Sequence, residues 1–101
     1  MAIRARLMVT GSIQGVGFRW FVQRCAKECQ ITGWVKNLPD GDVEIACEAE
    51  TEKNYRDFLD KVESKKYTGP ALGDAIDVDK IQVVEFEKDT EPKHDHFGIE
   101  Y

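Results

Sequence analysis

The stretch IRARLMVT–GSIQGVG–FRWFVQRCAKEC, residues 3–29, contains a change of hydrophobic period that decides the fold class. From Ile3 to Thr10 apolar and polar residues alternate, and this period of two predicts a strand with one buried face. From Phe18 to Cys29 the apolar residues fall on one helical stripe instead. The chain therefore opens with a strand, a glycine-rich loop and a helix.

Further strands and a second helix follow outward from this unit. Strands are predicted at 34–37, 43–47, 81–86 and 97–101, and a second helix begins after its predicted cap, Thr51, with Tyr55, Phe58, Leu59 and Val62 at helical spacing. Pro39-Asp40-Gly41 predicts a hairpin turn between the second and third strands. Residues 65–70 are expected to end the second helix, 71–79 to form a loop or an irregular strand entry, and 87–96 to form a charged loop.

This order of elements predicts an α+β fold. It is the ferredoxin-like split βαβ sandwich, β-α-β-β-α-β plus a short C-terminal strand, with two helices on one face of an antiparallel sheet. The chain has 101 residues, and we expect a single domain over 1–101. That fold hosts many activities, so function has to be argued from a site.

Composition excludes several classes of function. The net charge is −5, which argues against non-specific binding to nucleic acid or to acidic membranes. The longest apolar run is too short for a membrane span. There are three cysteines and no export signal, so we expect reduced thiols and a cytoplasmic location. We also expect a monomer.

The loop between the first strand and helix has the features of an anion site. Gly11, Gly15 and Gly17 permit backbone conformations that turn several N–H groups toward one point. The helix N-terminus adds further N–H groups and partial positive charge. Arg19 in the first helical turn is unfavourable beside that charge unless an anion lies between them. The alternative is a glycine-rich turn with a surface arginine.

Two longer blocks resemble signatures of the acylphosphatase family. They are GSIQGVGFRWF at 11–21 and GWVKNLPDGDVE at 33–44, and Gly69-Pro70 and the terminal Phe97-x-Ile99-x-Tyr101 are also similar to family features. The resemblance implies hydrolysis of acyl phosphates to a carboxylate and inorganic phosphate, with no cofactor and no metal. It implies catalytic roles for Arg19 and Asn37. It implies a phosphate cradle formed by Ser12, Ile13, Gln14, Gly15, Val16 and Gly17.

Other interpretations remain open beside this one. A non-catalytic phosphate- or anion-binding regulatory module could keep the same loop. A nucleic-acid-binding domain is disfavoured by the net charge and by the lack of an aromatic–basic motif. Asn37 taken alone reads as a turn residue before Leu38-Pro39. Cys25 and Cys29 are expected in the core, and His94-Asp95-His96 in a solvated loop, with a surface metal site as the less favoured alternative.

Overall fold

A computed structural model of the chain describes residues 2–12, 17–63 and 77–100. Its elements are β1 (Ala2–Ser12), α1 (Phe18–Glu28), β2 (Thr32–Asn37), β3 (Val43–Ala49), α2 (Glu52–Glu63), β4 (Asp77–Thr90) and β5 (Phe97–Glu100). The predicted order of strands and helices is confirmed. The expectations for the helix end at 65–70, for 71–76, for Gly69-Pro70 and for Tyr101 lie outside the described residues.

The sheet has the strand order β4-β1-β3-β2-β5. Strand β1 lies between β3 and β4, and these pairs and the β2–β3 pair are antiparallel. This confirms the split βαβ arrangement. Strand β5 is parallel to β2, so the sheet is mixed rather than wholly antiparallel. The chain reverses after β4, which runs opposite to β1 and β2, and β5 therefore follows the direction of β2.

Both helices contribute their apolar stripe to one core against the sheet. The alternating residues Ile3, Ala5, Leu7 and Val9 of β1 are buried, as their period predicted. The other core residues come from both helices, β2, β3 and β5 and include Phe18, Val22, Cys25, Ala26, Val35, Val43, Ile45, Cys47, Phe58, Val62 and Phe97. No helix within the described ranges is long and apolar enough to cross a bilayer.

The predicted turn and helix cap are both confirmed by hydrogen bonds. The Asn54 N–H donates to Thr51 Oγ1 at 3.1 Å, which caps α2. In the hairpin turn the Leu38 N–H donates to the Asp42 carbonyl at 2.8 Å, and the Gly41 N–H donates to the Leu38 carbonyl at 3.2 Å. Gly41 has φ 98, a left-handed conformation that suits glycine.

The expected charged loop at 87–96 is wrong at its start, because β4 continues to Thr90. Glu87 pairs in register with Arg4, and their side chains form an ion pair at 2.9 Å. The charges therefore belong to an edge strand that faces solvent, which is a place where sheets tolerate them. The β1–β4 pair also has three register shifts, and each of them interrupts the regular alternation of buried and exposed residues from which strands are predicted.

Candidate active site

The ends of several elements meet at one end of the sheet. Val9 of β1 and Asn37 of β2 both pair with Val43 of β3, so Asn37 lies two strands from Val9, about 10 Å away. On the other side of β2, Lys36 is in register with Glu100 of β5. Strands β1, β2 and β5 run in the same direction, so their last residues lie at the same end of the sheet, and the first turn of α1 contacts this end through Arg19 and Glu100.

The start of α1 has features that are typical of an anion site. Gly17 precedes the helix with φ 78, a left-handed conformation that favours glycine, and no side chain among the described residues caps this helix by a hydrogen bond. The first turn carries no acidic residue. Helix N–H groups without a side-chain cap suit an anionic group. Residues 13–16 and the Ser12 side chain lie outside the described part of the chain, so the predicted cradle stays a prediction there.

Arg19 in the first turn of α1 is tied to the end of β5. Its Nη1 donates to the Glu100 main-chain carbonyl at 3.1 Å, and the residue is half-buried. This bond holds a guanidinium beside the helix N-terminus, although the helix dipole opposes a cation at that position. A guanidinium offers five N–H donors in one plane, a geometry that matches two oxygens of a phosphate group.

Asn37, the last residue of β2, has a side chain with an unsatisfied acceptor. Its Oδ1 is buried and has no hydrogen-bond partner within the described ranges. Leaving a buried acceptor unpaired costs about 1–3 kcal/mol, so such an atom calls for a donor. The adjacent turn is closed by bonds from Leu38, Gly41 and Asp42, without the Asn37 side chain. Among the described residues, the Asn37 side chain therefore takes no part in closing this turn.

The three thiols lie in the core, as expected for Cys25 and Cys29, and they are poor nucleophiles. Cys25, Cys29 and Cys47 are free and buried. Burial raises the pKa of Cys25 and of Cys47 to about 12, so both stay protonated at neutral pH. The thiolate is the reactive form of cysteine. These residues therefore belong to packing and not to the chemistry of this site.

The histidines lie away from Asn37. The His96 carbonyl accepts from Gly33, which is four residues before Asn37 on β2 and so about 13 Å from it. His96 Nδ1 is 2.7 Å from Asp95 Oδ1, and both side chains are exposed. In the part of the chain that the structure describes, no three His, Cys, Asp or Glu side chains converge in a way that could hold a metal.

Comparison with known proteins agrees with this arrangement. A family model described as Acylphosphatase matches residues 5–99. The chain belongs to the acylphosphatase family. It is 41% identical over 86 residues to an acylphosphatase of Clostridium beijerinckii, an alignment that covers 85% of this chain and 92% of that protein. It is 55% identical over 49 residues to one from Methanospirillum hungatei, which covers 48% of this chain and 54% of that protein.

A solved acylphosphatase structure extends the likeness to the whole fold. The crystal structure of acylphosphatase from Bacillus subtilis has a TM-score of 0.79 against this chain and 34% identity, and the match covers 100% of both chains. The fold class predicted from the sequence and the family are therefore both confirmed.

One part of the site has no signal in the sequence. The anchor of Arg19 is a main-chain carbonyl, and every residue carries one, so no residue type marks the position. The only indication was the apolar alternation at 97–101, which predicted a strand but not its neighbour. The pairing of β5 with β2 is a long-range contact that the pattern alone could not reveal.

Proposed function

We propose that this chain hydrolyses the carboxyl–phosphate bond of acyl phosphates. In this proposal the phosphoryl group is held by Arg19, by the N–H groups at the start of α1 and by the loop from Ser12 to Gly17. A water molecule is held by Asn37. The products are a carboxylate and inorganic phosphate, and family membership supports this reaction class.

The observation that carries the proposal is the buried Oδ1 of Asn37, which has no hydrogen-bond donor among the residues that the structure describes. A buried amide oxygen without a donor is a place for a water hydrogen. The atom belongs to the last residue of β2, one residue beyond Lys36, which is in register with Glu100. Since Glu100 also accepts the bond from Arg19, the acceptor for water and the cation for phosphate lie at the same end of the sheet.

The chemistry needs positioning and charge stabilisation more than proton transfer. The water oxygen forms a bond to phosphorus while the bond from phosphorus to the acyl oxygen breaks, and the carboxylate leaves with that electron pair. Negative charge on the equatorial oxygens is stabilised by the Arg19 guanidinium and by backbone N–H groups. A carboxylate is a good leaving group, so it needs no general acid.

The proton of the attacking water passes to an oxygen of the phosphoryl group in this proposal. The Asn37 amide can orient the water but has no titratable proton to exchange. We therefore expect kcat to lack a transition near neutral pH that belongs to an enzyme base. A transition near neutral pH in the kcat profile of the wild type would contradict this step if it stays at the same pH when a different substrate is used.

The test is hydrolysis of benzoyl phosphate with EDTA present. We expect rapid turnover by the wild type and a loss of about 10²–10³-fold in kcat for both Arg19→Ala and Asn37→Ala, because each removes a preorganised group. Arg56→Ala and Asn54→Ala on α2 are matched controls, and they should retain wild-type activity. Wild-type turnover by either site variant would refute the assignment.

The same experiment separates catalysis from simple binding. A non-catalytic anion-binding module would show no turnover, although inorganic phosphate would still raise its melting temperature. An enzyme of the proposed kind shows both turnover and protection by phosphate. Loss of turnover on adding EDTA would contradict the metal-independent mechanism.

A further inference from the structure

Two side chains of α1, one helical turn apart, bond to the main chain of β5. Arg19 Nη1 donates to the Glu100 carbonyl at 3.1 Å, and Gln23 Nε2 donates to the Phe97 carbonyl at 3.0 Å. Residues four apart lie on the same helix face. The first bond belongs to the proposed site, whereas the second is part-buried and lies one turn away from it.

The anchor of Gln23 is well fixed in the core. Phe97 is buried, with 5% of its surface exposed, and its ring packs edge-on against Phe58 with a centroid distance of 6.2 Å. Strand β5 has four residues and lies at the edge of the sheet, beside β2. A strand this short at an edge has few ladder bonds, so contacts from α1 contribute a large share of what holds it.

The two bonds together fix how α1 lies along β5. The start of the helix meets the end of the strand, and the middle of the helix meets the start of the strand, so the two run in opposite directions. The donors are separated by about 6 Å along the helix. The acceptors are separated by about 10 Å along the strand. The long arginine side chain spans the difference.

We infer that Gln23 is a positioning residue for Arg19. Apolar packing holds α1 against the core, but it is non-directional, so with Arg19 as the single polar attachment to β5 small shifts of the helix along the strand would remain possible. The second attachment, to a carbonyl that the core holds fixed, removes this freedom and sets where the guanidinium lies relative to Asn37. The inference rests on the proposed function, because it assigns Gln23 a part in placing the group that stabilises the phosphoryl charge.

Misplacing Arg19 should lower the rate more than it weakens substrate binding. Charge stabilisation in phosphoryl transfer depends on donors placed where the transition-state oxygens will be. A displacement of about 1 Å can cost up to about 10²-fold in rate. Loose electrostatic attraction to the substrate phosphate, by contrast, changes little when a cation moves by that distance.

The experiment is a double-mutant cycle on Gln23→Met and Arg19→Ala with benzoyl phosphate as substrate. Methionine keeps the length of the side chain and removes the amide donor. We expect Gln23→Met to lower kcat by about 10-fold, with KM within about 2-fold of wild type. In the Arg19→Ala background the same substitution should have no further effect, because the group that it places is absent.

Two controls distinguish positioning from loss of folding. Lys27→Met makes a similar substitution on the exposed face of α1 and should leave kcat unchanged. Thr51→Ala removes the cap of α2 and should lower the melting temperature with kcat unchanged. Unfolding curves are then measured for Gln23→Met and Thr51→Ala. If Gln23→Met loses no more stability than Thr51→Ala, yet only Gln23→Met has a lower kcat, the loss of activity does not come from unfolding.

The inference is overturned if Gln23→Met has wild-type kcat, or if it lowers kcat by the same factor with and without Arg19. Either result can occur while Arg19→Ala is inactive, so it would leave the proposed function intact. Wild-type turnover by Arg19→Ala would instead refute the proposed function and the inference together.

Discussion

At the scale of single residues, Gly33 shows how a long-range contact constrains one position. Its φ is +132, and a Cβ placed there would lie 1.9 Å from the Ala46 carbonyl oxygen of β3. A Cβ atom cannot lie that close to a carbonyl oxygen, and neither strand can move away without breaking its hydrogen-bonded pairs. The Gly33 N–H also donates to the His96 carbonyl at 2.9 Å, so the residue joins β2 to the segment before β5.

Replacing Gly33 by alanine should therefore be severely destabilising. We expect Gly33→Ala to lose more than about 3 kcal/mol of unfolding free energy, because the clash adds to the conformational strain. Gly41→Ala is the matched control, since Gly41 has φ +98 but no atom of the described residues lies within 4 Å of its Cβ position. That variant should lose about 1–2 kcal/mol from strain alone. Equal urea midpoints for the two variants would contradict the steric argument.

The sequence identified Arg19 and Asn37 as candidate site residues more readily than it identified the constraint on Gly33. Arg19 and Asn37 stand in blocks with a recognisable family resemblance, so their candidacy needed no structure. Gly33 opens the second of these blocks, but its place there carried no expectation of a steric constraint. The Ala46 carbonyl on strand β3 excludes a side chain at Gly33, and the spacing of residues in the sequence does not reveal this contact between two strands.

At the scale of elements, Glu48 holds the connection between β4 and β5. It is the one buried charged side chain in the described part of the chain, with 3% of its surface exposed. Its carboxylate accepts bonds from the Lys93 N–H at 2.9 Å and from the His94 N–H at 2.8 Å. Because β4 and β5 lie at opposite edges of the sheet, this connection has to cross from one edge to the other. Glu48 fixes the crossing.

Replacing Glu48 by glutamine should loosen that crossing. The amide keeps one acceptor oxygen and puts an NH₂ donor where the other was, facing an N–H. We expect Glu48→Gln to lose about 1–3 kcal/mol of unfolding free energy and to speed hydrogen exchange at Lys93 and His94. Glu50→Gln, at an exposed position two residues on, is the control. Unchanged exchange at Lys93 and His94 in Glu48→Gln would show that the carboxylate does not hold the connection.

The elements themselves were largely predictable from period and turn residues. Strand β1, helix α1 and the turn at 38–42 follow from local sequence, and the structure confirms them. The extent of β4 and the direction of β5 could not be predicted from local sequence. Residues 87–89 are charged and exposed in an edge strand, and composition alone makes such residues look like a loop.

At the scale of the whole molecule, the core buries ionisable side chains from both the helices and the sheet. Cys25 comes from α1, Cys47 from β3 and Tyr55 from α2, and burial raises the pKa of each to about 12. These groups are neutral in the folded protein up to high pH. In the unfolded chain they ionise at their ordinary, lower pKa values. The folded state thus binds more protons than the unfolded state in alkaline solution.

Stability should therefore fall as the solution becomes alkaline. For Cys47 the contribution is fully present below pH 9.0, its unfolded value, and is lost as the pH rises toward about 12. Between about pH 8 and about pH 10.5 this one thiol should remove about 2 kcal/mol of unfolding free energy. Urea unfolding at the two pH values measures the loss. Cys47→Ala is less stable at both because it leaves a cavity, yet its loss between them should be smaller by about that amount. An equal loss in the variant and in the wild type would mean that the alkaline sensitivity arises from groups other than this buried thiol.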